Sequence, residues 1–478
     1  MAVGTSAALS ARQAEQTGAT VRVLGAAGTV TGSRFLVRSK SQDLLMDCGL
    51  FQGGRNLEDK NWQPFPVDPD RIETVLLTHA HLDHVGYLPR LVAQGFRGPI
   101  YATGATCALM ELVLRDAAHL QEQEAAYANR SGYSRHKPAL PLYTQDEAEL
   151  ALERLRPVTF DHPLSLGGVT AVWRAAGHIL GSASIELTVE STAASRLLVF
   201  SGDLGRFDDP MMRPPAFVEQ ADTLVLESTY GDRLHGPESV DVGLEAALGR
   251  VMRSKGVLLI PAFAVGRTQR VLYSIRRLQD EGRAPDIPVI IDSPMAVDAS
   301  SLYCRFGDDH NLDVNLLMEN RNCALRCRQT RFIREVEESK ELNLLAGPAV
   351  IISASGMCSG GRVLHHLKHR LPDRRNEVLL VGYQAQGTRG RRLQEGAATV
   401  RIHGGEIPVR ARVTSLSGLS AHADQQEILR WLRGFQRPPG QTLLVHGEPP
   451  ARDALDRVIQ RDVGWEVVAP AEGDAFHA

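Results

Sequence analysis

The 478-residue chain has no apolar run long enough to span a membrane, and its opening lacks the hydrophobic segment of a signal peptide. Met1 to Thr20 are small and polar and read as a flexible leader, so the cytoplasm is the expected compartment. Cysteine is scarce. Cys48, Cys107, Cys304, Cys323, Cys327 and Cys358 make no disulfide framework in so long a chain, which suits a reducing compartment. Cys323 and Cys327 could share a helix face, but with no second Cys/His pair beside them they read as ordinary buried thiols. Aromatic residues make up only 5%, which leaves base stacking a minor way of gripping a nucleic acid. Excess charge is missing too: a net −3 excludes a polycation, so any polyanionic partner needs a local basic face. Arginine does cluster in the second half, at Arg321, Arg326, Arg328, Arg331 and Arg334, at Arg370, Arg374 and Arg375, and at Arg389, Arg391 and Arg392. Such clusters are usually solvated faces, but these keep an electrostatic footprint open.

What the chain does have is a histidine-rich stretch, Thr78-His79-Ala80-His81-Leu82-Asp83-His84-Val85-Gly86. It follows the apolar run Thr74-Val75-Leu76-Leu77, a buried strand, and leads into a helix, the place where α/β folds put their chemistry. In extended backbone, side chains at i and i+2 point the same way, so His79 and His81 can reach one ion. The turn into the helix swings Asp83 and His84 towards a second point nearby. A nitrogen-rich donor set with one oxygen suits zinc, with manganese or iron as weaker fits, better than calcium or magnesium. Asp47, at the end of the strand Asp43 to Asp47, is a candidate carboxylate for orienting a ligating histidine, although Asp before a Gly turn is common anyway.

Short strands joined by Gly turns fill the region from Val21 onward, which indicates a meander, followed by a helical stretch from Ala105 to about Asn129. A second helix starts at Thr144, where Glu147 gives capping-box spacing. His178 in Gly177-His178-Ile179-Leu180-Gly181 and Asp203 in Gly202-Asp203-Leu204-Gly205 lie at strand ends beside glycine. Beyond the strand Thr223 to Leu226, which ends in Glu227, helices alternate with fully apolar strands such as Val257 to Ile260 and Ala349 to Ile352. That alternation signals a doubly wound parallel sheet. Two of its loops, Ala264-Val265-Gly266-Arg267 and Ser353-Ala354-Ser355-Gly356-Met357 with Gly360-Gly361-Arg362, open helices and suit an anion. Strands return from Thr399 to Val413. His422 then precedes the amphipathic helix Gln425 to Phe435, and His446 ends the strand Thr442 to Val445. This order of textures reads as a first domain interrupted by a second.

Taken together, Asp47, His79-x-His81-x-Asp83-His84, His178 and Asp203 resemble the metallo-β-lactamase superfamily. Glu227, His422 in Ser-Ala-His-Ala-Asp and His446 in Val-His-Gly-Glu resemble motifs A, B and C of its β-CASP, nucleic-acid-processing branch. The likeness covers about residues 21 to 470 and is nearest to bacterial relatives of the endonuclease that cuts pre-mRNA at its 3′ end. It implies an α/β protein, an αββα sandwich carrying an inserted doubly wound α/β (β-CASP) domain as a lid. The expected divisions are a leader at 1–20, the sandwich at 21–230, the insertion at 231–395 and the rest of the sandwich at 396–478. It also implies two zinc ions per chain, one on His79, His81 and His178, the other on Asp83, His84 and His446, with Asp203 bridging. Neither a preceding RNA-binding appendage nor an added C-terminal domain is expected.

The implied activity is a zinc-dependent ribonuclease, favoured as an endonuclease with 5′-exonucleolytic attack as the other mode. The catalytic set is His422 as general acid, Glu227 orienting it, and Asp203 and Asp83. Arg267, Ser355, Gly356, Gly361 and Arg362 are the expected phosphate-binding residues. The expected partner is single-stranded RNA, with no membrane and with a homodimer as one option for assembly. A DNA nuclease of the same branch, disfavoured by His446, and a thioester or lactone hydrolase on the same zinc core are the alternatives.

Overall fold

The computed structural model describes residues 19–478 apart from 41, 133, 135, 192–193, 237–239 and 313–324. The chain divides into two units. The first holds the residues up to Asp209, then Arg213–Leu234 and His422–Ala478; the second holds Pro210–Met212 and His235–Ala421.

Two sheets face each other in the first unit. One runs in the order Ala475–His477, Ala19–Val23, Phe35–Ser39, Asp43–Met46, Thr74–Leu76, Ile100–Thr103, Leu155–Val158. The first four of these pair antiparallel, as a meander should, and pairing is parallel from Asp43–Met46 onward. The other runs Gln441–Val445, Thr223–Glu227, Arg196–Phe200, Ala183–Val189, Val169–Ala175, Leu164–Ser165. Alternation within strands decides which face is buried: in Val169–Ala175, Val169, Ala171 and Trp173 point inward. They join Val21, Val37, Met46, Ile185, Phe200 and Val225 in one core between the sheets. The indole N–H of Trp173 donates to Leu77 O at 3.0 Å, which ties the second sheet to the strand feeding the histidine loop. Helix Gly104–Ser131 packs beside the first sheet, and the helices Gln425–Leu432 and Pro449–Asp462 bury Ile428, Trp431, Leu455 and Ile459 against the second. The expected capping box is present, Thr144 and Glu147 each satisfying the other's backbone N–H at the start of Gln145–Leu152.

The second unit is a wholly parallel six-stranded sheet ordered Thr330–Ile333, Val289–Asp292, Ala349–Ser353, Val257–Pro261, Glu377–Leu380, Arg412–Ser415. Its inner strands are buried throughout because helices cover both faces, which is why they read as unbroken apolar runs. Pro261 and Ser353 are paired neighbours, so the loops that follow them leave the same sheet edge side by side.

One expected boundary moves. The return to the first unit was placed at 396, but Arg412–Ser415 pairs in parallel with Glu377–Leu380. The hairpin of Thr399–Ile402 with Gly405–Pro408 packs Val400 and Ile402 into the core of the second unit. Residues 396–421 therefore belong to the insertion, and the first unit resumes at His422. Local strand texture cannot tell which sheet a strand joins. Of the expected leader, 1–18 lie outside the described residues, and Ala19 and Thr20 open the first strand. Cys48, Cys107, Cys327 and Cys358 are buried free thiols, and Cys304 is disulfide-bonded. Cys323 and Arg321 lie outside the described residues. Among those described, no helix is long and apolar enough to cross a membrane.

Candidate metal centre

The strand Thr74–Leu76 ends in the loop carrying His79 and His81, and the short helix Leu82–Val85 turns Asp83 and His84 back beside it. Gly49 makes that turn fit. A Cβ there would stand 1.6 Å from Asp83 O, so only glycine lets Cys48 N reach His84 O at 2.7 Å and Leu50 N reach Leu82 O at 2.9 Å. Gly205 does the same for His178, since a Cβ on it would lie 2.0 Å from Gly177 O.

The seven proposed ligands converge: His79, His81, His178 and Asp203 form one cluster, Asp83, His84 and His446 a second, and Asp203 also groups with Glu227 and His446. In the first, His81 Nδ1 lies 3.1 Å from His79 Nε2 and 3.2 Å from His178 Nε2, and Asp203 Oδ2 lies 3.5 Å from each of those Nε2 atoms. In the second, His446 Nε2 is 3.3 Å from both His84 Nε2 and Asp83 Oδ2. Asp203 Oδ1 stands 3.3 Å from His84 Nε2 and 3.4 Å from His446 Nδ1. Asp203 thus offers one oxygen to each cluster. Four donors about 2.0–2.1 Å from one ion in a tetrahedron stand about 3.3–3.4 Å apart, the spacing seen here. Ring nitrogens that both present lone pairs at that distance repel unless a cation lies between them. Asp203 Oδ1 is moreover buried and accepts no hydrogen bond among the described residues. The donor set therefore fits a metal.

Carboxylates and hydroxyls around the clusters fix the imidazoles. Asp47 accepts from Thr78 N and Thr78 Oγ1, both at 2.8 Å, and faces His84 Nδ1 at 2.8 Å, which turns His84 Nε2 to the second cluster. Thr229 Oγ1 donates to His446 O at 3.0 Å and so accepts from His446 Nδ1, also at 3.0 Å, leaving Nε2 to ligate. Sequence reasoning missed Thr78 and Thr229. The signal was parity: Glu227 and Thr229 are two apart at a strand end and face one side.

Burial holds His79 well below the usual imidazole range, helped by His84, and pushes His81 down to about 4, so both present neutral nitrogens. Burial also opposes charge on His84, but the carboxylates of Asp203 and Asp47 outweigh it and raise that imidazole well above its ordinary value. Asp203 is held well below the carboxylate range, the imidazoles of His446, His84 and His79 outweighing burial.

His422 belongs to neither cluster. Its Nδ1 faces Glu227 Oε1 at 3.4 Å, and its ring is 4.4 Å from that of His178, centroid to centroid. Its side chain is 20% exposed, against 5% or less for the clustered histidines His79, His84, His178 and His446. Glu227 is buried and itself held by Leu204 N at 2.6 Å. Burial lowers His422, but Glu227 and then Asp203 outweigh it and raise the imidazole.

The expected phosphate loops lie in the second unit. Gly266, at φ +78°, caps helix Arg267–Asp280, and Arg267 packs against Gly382. Ser355 Oγ accepts from Ser359 N at 3.0 Å; Gly356 lies against Phe263, and Gly361 takes φ +75°. The helix that follows begins at Val363, with Arg362 at its N-cap. Arg362 places its Nη1 2.7 Å from Asp292 Oδ1, and its Nη2 donates to Arg334 O at 2.6 Å.

A two-sheet sandwich gathering histidines and aspartates at one edge defines a metallo-hydrolase. Family models agree: a beta-lactamase superfamily domain matches residues 43–254, a Beta-Casp domain 268–393, and a Zn-dependent metallo-hydrolase RNA specificity domain 406–470. The chain is 41% identical to a ribonuclease of Thermus thermophilus over 91% of its own length and 94% of that protein. It is 29% identical to a transcription termination factor of Methanocaldococcus jannaschii, over 90% of this chain and 67% of that one. With an RNase J-like protein of the same organism the identity is 28%, over 86% and 88%. A crystal structure of a protein of unknown function from Enterococcus faecalis shares the fold, at TM-score 0.56, 11% identity and coverage of 96% of this chain and 99% of that one. The chain belongs to the metallo-β-lactamase superfamily, in its β-CASP, RNA-processing branch.

Proposed function

We propose that the protein is a zinc-dependent ribonuclease hydrolysing phosphodiester bonds of single-stranded RNA in the cytoplasm, cutting internally in preference to trimming from a 5′ end. The carrying observation is Asp203, whose two oxygens serve two separate histidine clusters beside an unclustered His422. Names of relatives that include a ribonuclease and an RNase J-like protein support the same reading. His79, His81, His178 and Asp203 would hold one zinc ion, and Asp83, His84, His446 and Asp203 the other. Bound zinc supplies the charge that makes a water acidic at neutral pH and that balances a scissile phosphate.

The protein's own part is orientation and proton delivery. Glu227 engages His422 Nδ1, which leaves Nε2 to hand a proton to the departing ribose 3′-oxygen. Products are then a 5′-phosphate and a 3′-hydroxyl. Asp47 and Thr229 keep His84 and His446 in the tautomer with Nε2 inward.

Incubation of the purified protein with 5′-labelled and internally labelled RNA tests this, wild type beside His422→Ala. Cleavage by the wild type, lost in His422→Ala with bound zinc unchanged, is the expected result. Loss of zinc in that variant would make His422 a ligand, and cleavage of DNA or a thioester but not RNA would overturn the substrate assignment.

A further inference from the structure

We propose that the exposed face of helix Val363–Arg370, with the adjoining hairpin of Thr399–Ile402 and Gly405–Pro408, is a contact surface for the phosphate backbone of single-stranded RNA. This rests on the ribonuclease reading and adds a surface built from none of the metal-cluster residues.

Charge distribution points there first. Residues 362–412 carry eleven Lys and Arg against four Asp and Glu, in a chain whose net charge is −3. Packing then sorts these residues. Val363, Leu364 and Leu367 of the helix and Val400 and Ile402 of the hairpin enter one core, which turns His365, Lys368 and His369 outward on the helix and Arg401 and His403 outward on the hairpin. The hairpin turn, with His403 at φ +48°, brings its ring centroid to 4.6 Å from that of His365.

Two arginines stiffen the surface without losing charge. Arg389 donates to Arg401 O at 2.7 Å, Cys358 O at 3.2 Å and Ser359 O at 3.0 Å, and Arg392 donates to Thr399 O at 3.2 Å. Main-chain carbonyls position these guanidinium groups but do not neutralise them. Arg375 and Arg391, by contrast, pair with Asp373 and Glu395, Arg370 turns inward to Leu342 O and Leu345 O, and Arg401 has Glu406 across the hairpin. Of the uncompensated residues, Lys368 faces His365, and Arg389 and Arg392 hold the hairpin strand that leads to His403.

The imidazoles make this surface more than a generic basic face. His365 is faced by His403 from the hairpin and by His366, His369 and Lys368 from its own helix. Partial burial and then these neighbours push it below the ordinary imidazole range. Burial and then Lys368, Arg370 and His366 lower His369 in the same way. A phosphate settling among these groups supplies the missing anion and raises their proton affinity, so binding takes up protons and tightens as pH falls.

The test uses the full chain, zinc-loaded, with fluorescein-labelled oligo(U) of about 30 nucleotides. Binding is read by anisotropy in a His422→Ala background that spares the RNA. Each backbone contact removed should lower the slope of log K against log salt by about 0.7, so Lys368→Ala/Arg392→Ala should lower it by about 1.4. The parent should bind several-fold tighter at about pH 6 than at about pH 8, and His365→Ala/His403→Ala should reduce that gain to the share carried by His369. All four side chains are exposed, so melting temperatures should match the parent. Salt slope and pH dependence unchanged in both variants would overturn the surface assignment while leaving the nuclease reading intact. Wild-type protein that neither binds nor cleaves RNA would overturn the nuclease reading itself.

Discussion

Replacing Asp47 by Asn separates metal affinity from folding. Asp47 sits at φ +56°, a conformation that Asn tolerates and Ala does not, and its carboxylate accepts from Thr78 N and Thr78 Oγ1 while facing His84 Nδ1. In Asp47→Asn the amide oxygen still accepts from Thr78 N. The amide NH₂ then meets His84 Nδ1, which must become an acceptor, so the imidazole proton moves to Nε2 and blocks the nitrogen facing the second cluster. Losing such an orienting partner lowers metal affinity about 10–100-fold, equivalent to about 1.4–2.7 kcal/mol. Asp47→Ala would instead strand three buried donors and strain the backbone, at about 4 kcal/mol of stability or more. The assay is zinc content by mass spectrometry across a zinc-buffered series, with melting of the metal-free protein measured alongside. Asp47→Asn should lose one zinc per chain while its metal-free melting temperature stays near wild type. Two zinc ions retained at wild-type affinity, or both lost together, would refute the tautomer argument.

Thr229→Val should weaken the same zinc by about tenfold and Thr229→Ser should restore it, because the hydroxyl accepts from His446 Nδ1; equal zinc affinity in all three proteins would contradict this. Gly49→Ala places a Cβ 1.6 Å from Asp83 O and should yield little soluble protein, or a protein without zinc, as expression yield and metal analysis would reveal. Asp292, fully buried, is opposed in its charge by burial, yet hydrogen bonds from His366, Ser339 and Arg362 outweigh that and hold its pKa below the usual carboxylate value. A depressed carboxylate stabilises above its unfolded pKa, about 3.9, and the contribution fades as pH falls through the folded value. Asp292→Asn should therefore be less stable than wild type at neutral pH and converge on it in acid; a constant difference across pH in denaturant melts would refute the linkage.

The metal loop was legible in the sequence because its logic is local. His79 and His81 share a side through the two-residue repeat of extended chain, and Asp83 and His84 follow from the helix that begins at Leu82. The parallel sheet of the second unit was equally legible, since strands covered on both faces, such as Val257–Pro261 and Ala349–Ser353, must be apolar throughout. The roles of His178, Asp203, Glu227, His422 and His446 came from likeness to a family, because nothing in their spacing says that they meet.

Tertiary structure alone decided three things. Parallel pairing of Glu227 with Val445 sets Thr229 against His446, a contact across 217 residues. The pairing of Arg412–Ser415 with Glu377–Leu380 moved the boundary from 396 to 422, and Asp292 fixed where the Arg362 guanidinium lies. Sequence determines which side chains a short stretch presents and on which face, since bond geometry acts over a few residues. Which strand lies beside which, and which carboxylate reaches a guanidinium first, is settled by the burial of whole sheets and helices, a free energy that no local window contains.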